Sequence, residues 1–214
     1  MSIRNDSRSS GAHNNTIWEG LNISRELREK QNGHKAAVLW FTGISASGKT
    51  TIARGIEHKL FVNGIQTVLL DGDMVRKGLC SDLGFSAKDR KENIRRISEV
   101  ARLLFEQGSV VICTFISPFR EDRQYARSLI ADGRFFEIFV KCDIETAKRR
   151  DPKGLYQKAL RGEIKDFTGI SSPFEEPENP EIVLDSELKT SDELIGSLFN
   201  HLKGNKIIQV TGAG

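Results

Sequence analysis

The sequence predicts an α/β domain with a doubly wound, mostly parallel five-stranded sheet flanked by helices. Three observations predict it. Five short apolar runs alternate with stretches whose apolar residues recur at helical spacing, the pattern of strand–helix units that close a parallel sheet. A glycine-rich turn joins the first apolar run to an amphipathic helix. The 214 residues are 38% hydrophobic and 29% charged, which suits one domain of ordinary size with a packed core.

The elements follow in order. Residues 1–16 are polar, with Ser2, Ser7, Ser9, Ser10, Arg4 and Arg8, and read as a disordered tail rather than a transit peptide. Residues 17–35 form an N-terminal arm, with Ile17, Trp18, Leu21 and Ile23 before a charged helical stretch from Arg25 to Gln31. The main domain spans 36–214. Val38 to Thr42 is a buried strand bounded by Gly43. Ile52, Ile56, Leu60 and Phe61 mark a helix that ends near Asn63–Gly64. Thr67 to Leu70 is the second strand, closed by Asp71-Gly72-Asp73. Residues 88–106 form the longest helix, with Ile94, Ile97, Ala101 and Leu104 on one face. Val110 to Ile116 is the third strand, Pro118 opens the next element, and Tyr125, Leu129 and Ile130 mark its helix. Phe135 to Val140 is the fourth strand. Residues 144–166 read as a densely charged helical region, part of a lid at about 144–168. Pro173, Pro177 and Pro180 enforce an extended segment before the fifth strand, Ile182 to Leu184. Thr190 and Glu193 give a capping-box pattern ahead of Leu194, Ile195, Leu198 and Leu202.

Composition excludes several classes. Net charge is +3, too small for a dedicated nucleic-acid binder. Cys80, Cys113 and Cys142 are an odd number without a CxxC pair, which disfavours a disulfide framework or zinc site and fits a reducing compartment. No membrane span or secretory signal is visible, so a cytoplasmic location is expected.

Gly43-Ile44-Ser45-Ala46-Ser47-Gly48-Lys49-Thr50 matches GxxxxGK[ST] between a buried strand and an amphipathic helix. Such a loop wraps phosphate with backbone N–H groups, and its glycines allow close approach and positive φ. Lys49 supplies a cation between the β- and γ-phosphates, Thr50 a hydroxyl for Mg²⁺, and the helix start adds its dipole. Asp71-Gly72-Asp73 ends the second strand at the same sheet edge, where a carboxylate can take a proton from an attacking hydroxyl or hold Mg²⁺ through water. An N-capping turn is the plainer alternative. The third strand ends without an acid, which weakens GTPase and motor-ATPase readings and shifts the acidic role to Asp71 or Asp73.

Charge is uneven. Residues 76–102 hold eight basic against four acidic residues, residues 141–161 seven against three, and residues 171–193 one against eight. The basic blocks follow strands two and four and could surround a polyanionic small molecule. Lys91 and Arg102 read as solvated; Arg76, Arg90 and the Arg149–Arg150–Asp151 run are stronger candidates. Phe85 and Phe167 lie in glycine-containing loops, where aromatics either stack on a purine or anchor the loop to the core.

The residues now resemble those of the adenylylsulfate kinase (APS kinase) family, from about Trp18 to the C-terminal helix. The likeness rests on Leu-Trp-Phe-Thr-Gly before the phosphate loop, Leu-Asp-Gly-Asp, Asp82-Leu83-Gly84-Phe85-Ser86, and the run from Asp89 to Arg96. Phe115-Ile116-Ser117-Pro118, Arg150-Asp151-Pro152-Lys153-Gly154-Leu155-Tyr156 and Phe167-Thr168-Gly169-Ile170 extend it. The resemblance implies transfer of the γ-phosphoryl group of ATP to the 3′-hydroxyl of adenosine 5′-phosphosulfate (APS), giving 3′-phosphoadenosine 5′-phosphosulfate (PAPS) and ADP, with Mg²⁺. It implies that Gly43 to Thr50, with Thr51 and Arg149, hold ATP. Asp73 would orient or deprotonate the hydroxyl, with Lys49 and Ser117 also catalytic. Arg76, Arg90, Asn93, Ile116 and Ser117 would bind the phosphosulfate side, Phe85 and Phe167 would clamp adenine, and Lys153 would reach the substrate from the lid. Some members carry a phosphoserine at the position of Ser117, although in-line transfer needs no covalent intermediate. A homodimer is also implied. Position 46 is Ala where many members have Gly, and Thr50 replaces Ser. Other readings are a sugar or nucleoside kinase, a regulatory subunit that has lost catalysis, and a nucleic-acid binder. The clustered arginines and loop aromatics, intact Lys49, Thr50 and Asp73, and interspersed acids weigh against them in turn.

Overall fold

The computed structural model describes residues 23–130 and 133–209. The expected tail, and the part of the arm holding Ile17, Trp18 and Leu21, lie outside the described residues. The chain runs α1 (Arg25–Asn32), β1 (Ala37–Thr42), α2 (Lys49–Phe61), β2 (Thr67–Asp71), α3 (Gly72–Val75), α4 (Ala87–Glu106), β3 (Val110–Thr114), α5 (Arg120–Ser128), β4 (Phe135–Lys141), α6 (Ile144–Arg150), α7 (Leu155–Leu160), β5 (Ile182–Asp185) and α8 (Ser191–Gly204).

The sheet is five-stranded and wholly parallel, in the order β2-β3-β1-β4-β5. The pleat sends alternate residues of β1 to opposite faces, and each face has its own core. Leu39 and Phe41 pack with Ile52, Ile56 and Leu60 of α2 and with Leu194, Leu198 and Leu202 of α8. Val38 and Trp40 pack with Ile94, Ile97, Ala101 and Phe105 of α4. A third cluster lies at the lid, where Ile44 meets Ala147, Tyr156, Ala159 and Phe167. Burying both faces explains why the strands read as continuous apolar runs rather than alternating ones. Among the described residues, no helix is long and apolar enough to cross a membrane.

The arm is fixed at the opposite edge from the phosphate loop. Ser24 caps α1 and Gly33 ends it in the left-handed region. The buried Glu29 carboxylate accepts from the Ala36 N–H at 2.9 Å and pairs with Lys35 and Arg134 at 2.8 and 3.1 Å.

Two expectations change. The third strand stops at Thr114, because residues 115–117 turn toward the site and Ser117 takes φ 39°. The expected helical region 144–166 is two short helices followed by turns. Pro152 lacks an N–H and disfavours helix at the preceding residue, and Gly154 takes φ 64°. The Asp151 carboxylate then starts α7 by accepting from the N–H groups of Leu155, Tyr156 and Gln157 at 2.8, 2.9 and 3.2 Å.

The capping box before α8 is present as expected. Thr190 Oγ1 accepts from the Glu193 N–H, and Glu193 accepts from the Thr190 N–H. Removing the cap by Thr190→Ala should cost about 1 kcal/mol and lower the melting temperature by about 2–4 °C without changing turnover. Calorimetric melting beside a kinetic assay checks this.

Candidate active site

The phosphate loop joins the C-terminal end of β1 to α2. Gly43 has φ 143°, and a Cβ there would lie 2.6 Å from the Val140 carbonyl oxygen, so a side chain does not fit. Gly48 caps α2 at φ 102°. Ala46 takes φ 59°, a conformation that costs a side-chain-bearing residue about 1–2 kcal/mol. Ala46 therefore puts strain into the loop.

Lys49 is folded into its own loop. Its Nζ donates to the carbonyls of Gly43 and Ile44 at 2.8 and 2.7 Å and reaches Ser47 Oγ at 3.5 Å. Burial pulls its pKa down to about 7, with the Asp71 charge acting the other way. Thr50 and Thr51 occupy the exposed first turn of α2.

Asp71 organises the neighbouring strand end. Its Oδ2 accepts from Thr114 Oγ1 at 3.1 Å and from Thr50 Oγ1 at 3.4 Å. Its Oδ1 accepts from the Asp73 N–H at 3.0 Å and starts α3. β3 therefore contributes a hydroxyl where other phosphate-loop proteins contribute an acid, and the carboxylate arrives from β2. The capping alternative holds for Asp71, whereas the Asp73 carboxylate is exposed and pairs with Lys153 of the lid.

Some of the residues expected to bind the acceptor gather around one guanidinium. Arg90 Nε donates to the Phe85 carbonyl at 2.9 Å, Nη1 to Thr168 Oγ1 at 3.1 Å and Nη2 to the Asp166 carbonyl at 2.7 Å. The start of α4 is thus tied to both aromatic loops. Arg76 donates to the Gly84 carbonyl at 3.0 Å, and its guanidinium lies 4.4 Å from the centre of the Phe85 ring. Burial and the adjacent Arg76 charge push the Arg90 guanidinium pKa down, opposed by Asp166. Two cations held this close make a site that favours an anion. Phe85 is 60% exposed; Phe167 is buried, edge-on to Tyr156 at 4.9 Å between ring centres. Of the two outcomes open for loop aromatics, Phe167 follows the core-anchoring one and Phe85 remains open to a ligand. Asn93 is buried, and its Oδ1 has no hydrogen-bond partner in the protein, as suits an atom waiting for a ligand.

Ile116 and Ser117 sit beside the root of the phosphate loop, where Thr42 Oγ1 donates to the Ile116 carbonyl at 2.7 Å. The Ser117 hydroxyl is buried and accepts from Trp40 Nε1 at 3.1 Å. The lid touches the loop directly, because Tyr156 Oη donates to the Ser45 carbonyl at 3.0 Å. Arg149 stays exposed, with Nη2 on Thr146 Oγ1 at 2.7 Å. Arg150 serves the fold instead, donating to the Ser186 carbonyl at 2.6 Å.

Much of each basic block is spent locally. Lys91 pairs with Glu121, Arg95 and Arg96 with Glu92, Arg96 also with Asp82, and Arg102 with Glu99. Arg76 and Arg90 reach the site. Sequence reading left the acidic role open between Asp71 and Asp73 and did not select Thr114 or Tyr156. The Asp71-Gly72-Asp73 pattern carried the signal for that role and the Lys153-Gly154-Leu155-Tyr156 run one for Tyr156; nothing in the sequence marked Thr114.

The folded-in lysine has a measurable consequence. At pH 8 the ligand-free Lys49 is largely neutral, and phosphate contact returns it toward its ordinary value, so nucleotide binding takes up a proton. At pH 6 it is already charged and contributes no uptake. Titration calorimetry in buffers of different ionisation enthalpy should show this difference, and Lys49→Met should abolish it. Buffer-independent heats at pH 8 would contradict it.

The family model described as "Adenylylsulphate kinase" matches residues 35–185. An adenylyl-sulfate kinase of Bacillus velezensis is 53% identical over 189 residues, 88% of this chain and 96% of the relative. One of Staphylococcus epidermidis is 48% identical over 195 residues, 91% of this chain and 98% of the relative. The structure of a Mycobacterium tuberculosis APS kinase in complex with AMPPNP and APS superposes with a TM-score of 0.76 at 45% identity, covering 79% of this chain and 99% of that one. The fold, the phosphate loop and this likeness agree: the chain belongs to the adenylylsulfate kinase family.

Proposed function

We propose that this protein is an adenylylsulfate kinase that transfers the γ-phosphoryl group of ATP to the 3′-hydroxyl of APS, yielding PAPS and ADP. One observation carries the reading. Asp71 reaches Thr50 of the phosphate loop, and Asp73 stands two residues further on with an exposed carboxylate. In this reading Asp73 is the proton acceptor, held beside the phosphate loop by the Asp71 turn. The cationic, half-open pocket of Arg76, Phe85 and Arg90 supports an anionic purine acceptor over a neutral sugar.

In this mechanism Gly43 to Thr51 cradle the phosphates of ATP, and Lys49 leaves the loop carbonyls for the β- and γ-phosphates. Arg149 holds the nucleotide from the lid side. Phe85 stacks on the adenine of APS, and Phe167 supports the opposite side of that pocket. Arg76, Arg90, Asn93, Ile116 and Ser117 bind the phosphosulfate side. Asp73 orients the ribose 3′-hydroxyl and accepts its proton as the oxygen attacks. The new P–O bond forms in line as the bond to ADP breaks, and the electron pair leaves with ADP. Lys153, paired with Asp73 across the site, moves with the lid to the substrate. Mg²⁺ fits the Thr50 hydroxyl and the Asp71 carboxylate, a sparse oxygen set suited to a hydrated ion completed by substrate phosphates. When bound it would neutralise charge between the β- and γ-phosphates. A homodimer and a cytoplasmic setting belong to the same proposal; the three unpaired cysteines support the latter. A Thiobacillus denitrificans neighbour at 30% identity is a hexameric APS kinase, and this chain spans 32% of it.

The test is PAPS formation from Mg-ATP and APS, followed as ADP release; a folded protein without turnover rejects the reading. Asp73→Asn should slow turnover by ~10²-fold or more while ATP still binds, and near-wild-type rates would remove the base from Asp73. Ser117→Ala should keep substantial activity. Complete loss, with a phosphorylated protein trapped in the wild type, would require a covalent role for that hydroxyl.

A further inference from the structure

Ser117 is held by its carbonyl as well as by its hydroxyl. The holder is Arg123 of α5, a fully buried cation. Its Nη1 donates to the Ser117 carbonyl at 2.6 Å, its Nη2 to the Glu175 carbonyl at 2.7 Å, and its Nε to Glu137 of β4 at 2.6 Å. Glu137 is itself buried and compensates the charge, with Arg127 at 3.2 Å on its other oxygen. Packing alone does not call for this arrangement, because an apolar side chain of similar volume would fill the space without the desolvation cost of a buried ion pair. What the cation supplies is two strong donors to backbone carbonyls of segments 58 residues apart in sequence.

Both segments border the site. Ser117 sits at φ 39°, a strained conformation for serine, and the residue after it is Pro118, which has no N–H to anchor the turn. The Glu175 segment carries the chain from the lid back to β5. It is stitched to the same turn, since the Glu175 N–H donates to the Pro118 carbonyl and Glu175 Oε2 accepts from the Arg120 N–H, both at 2.8 Å. We infer that Arg123, charge-balanced by Glu137, is a positioning residue for the acceptor: it locks the Ser117 peptide and the lid's return segment into one rigid wall of the APS site. This rests on the proposed function. Arg123 touches no reacting atom; it fixes where Ile116 and Ser117 present themselves. The phosphate loop hangs on β1 and α2 and meets this turn only at its root, through Thr42 Oγ1 on the Ile116 carbonyl, so the larger effect falls on APS.

The test is steady-state kinetics of the full-length double variant Arg123→Met, Glu137→Gln, which leaves no unpaired buried charge at this point and keeps Arg127 paired with Glu181 at 2.6 Å. The KM for APS should rise by about tenfold or more, or kcat/KM for APS fall by up to ~10², while the KM for ATP stays within about twofold. Arg123→Lys, which keeps the charge and can reach one carbonyl, should recover part of the loss. A cooperatively melting double variant with APS kinetics within about twofold of wild type would overturn the inference, as would equal losses toward both substrates. Should the double variant not fold, Arg123→Lys decides alone: an unchanged KM for APS overturns the role. A wild type that does not phosphorylate APS instead rejects the functional reading itself, so the two failures are distinguishable.

Discussion

Strand β1 has no face and no edge to spare. All six of its residues are buried, and it is hydrogen-bonded on one side to β3 and on the other to β4. Every polar backbone group in such a strand must be paired, which sets the register of both neighbours. Parallel pairing then delivers the C-terminal ends of β1, β2, β3 and β4 to one edge. The phosphate loop, Asp71, Thr114, the Ser117 turn and the lid are neighbours for that reason, although they come from distant stretches of the chain. Moving β1 by one residue would exchange Trp40 with Leu39 and Phe41 between the two cores and separate Gly43 from Val140.

The site edge is organised by side chains that bind backbone. Lys49 holds the carbonyls of its own loop, Arg90 those of Phe85 and Asp166, Arg123 those of Ser117 and Glu175, and Tyr156 that of Ser45. Loops at the end of a parallel sheet have no ladder partner, and a charged or phenolic donor is the economical substitute. The acidic 171–193 segment takes its place in this scheme. Glu175, Glu178 and Glu181 reach the N–H or the guanidinium groups of Arg120 and Arg127. The weak net charge of the chain thus hides short-range neutralisation, with a residue of positive charge left at Arg76 and Arg90.

How much of this was legible depends on range. The strands, the phosphate loop, α2, α4 and the capping box before α8 are specified by residues within a few positions of one another, and the sequence pattern located each of them. The break in the lid had a local cause as well, in Asp151, Pro152 and Gly154, but dense charge at helical spacing masked it. The roles that stayed hidden belong to pairs far apart in sequence: Thr114 with Asp71, Tyr156 with Ser45, and Arg123 with Glu175. Nothing in the sequence around Arg123 distinguishes it from the exposed Arg120 or the half-buried Arg127, because its burial is decided by β4 and by the return segment. Phe85 and Phe167 look alike in sequence and differ in surroundings, one open beside Arg76 and the other packed behind the lid.

The closed phosphate loop gives the protein an internal competitor. The carbonyls of Gly43 and Ile44 occupy the ammonium that a nucleotide needs, and they are always present at the same effective concentration. Entry of ATP is therefore an exchange rather than an addition, and the contribution of Lys49 is the difference between two sets of contacts to one side chain. The same exchange runs backwards after transfer. When the nucleotide leaves, the same carbonyls take Lys49 back, so part of what the lysine loses is replaced within the protein.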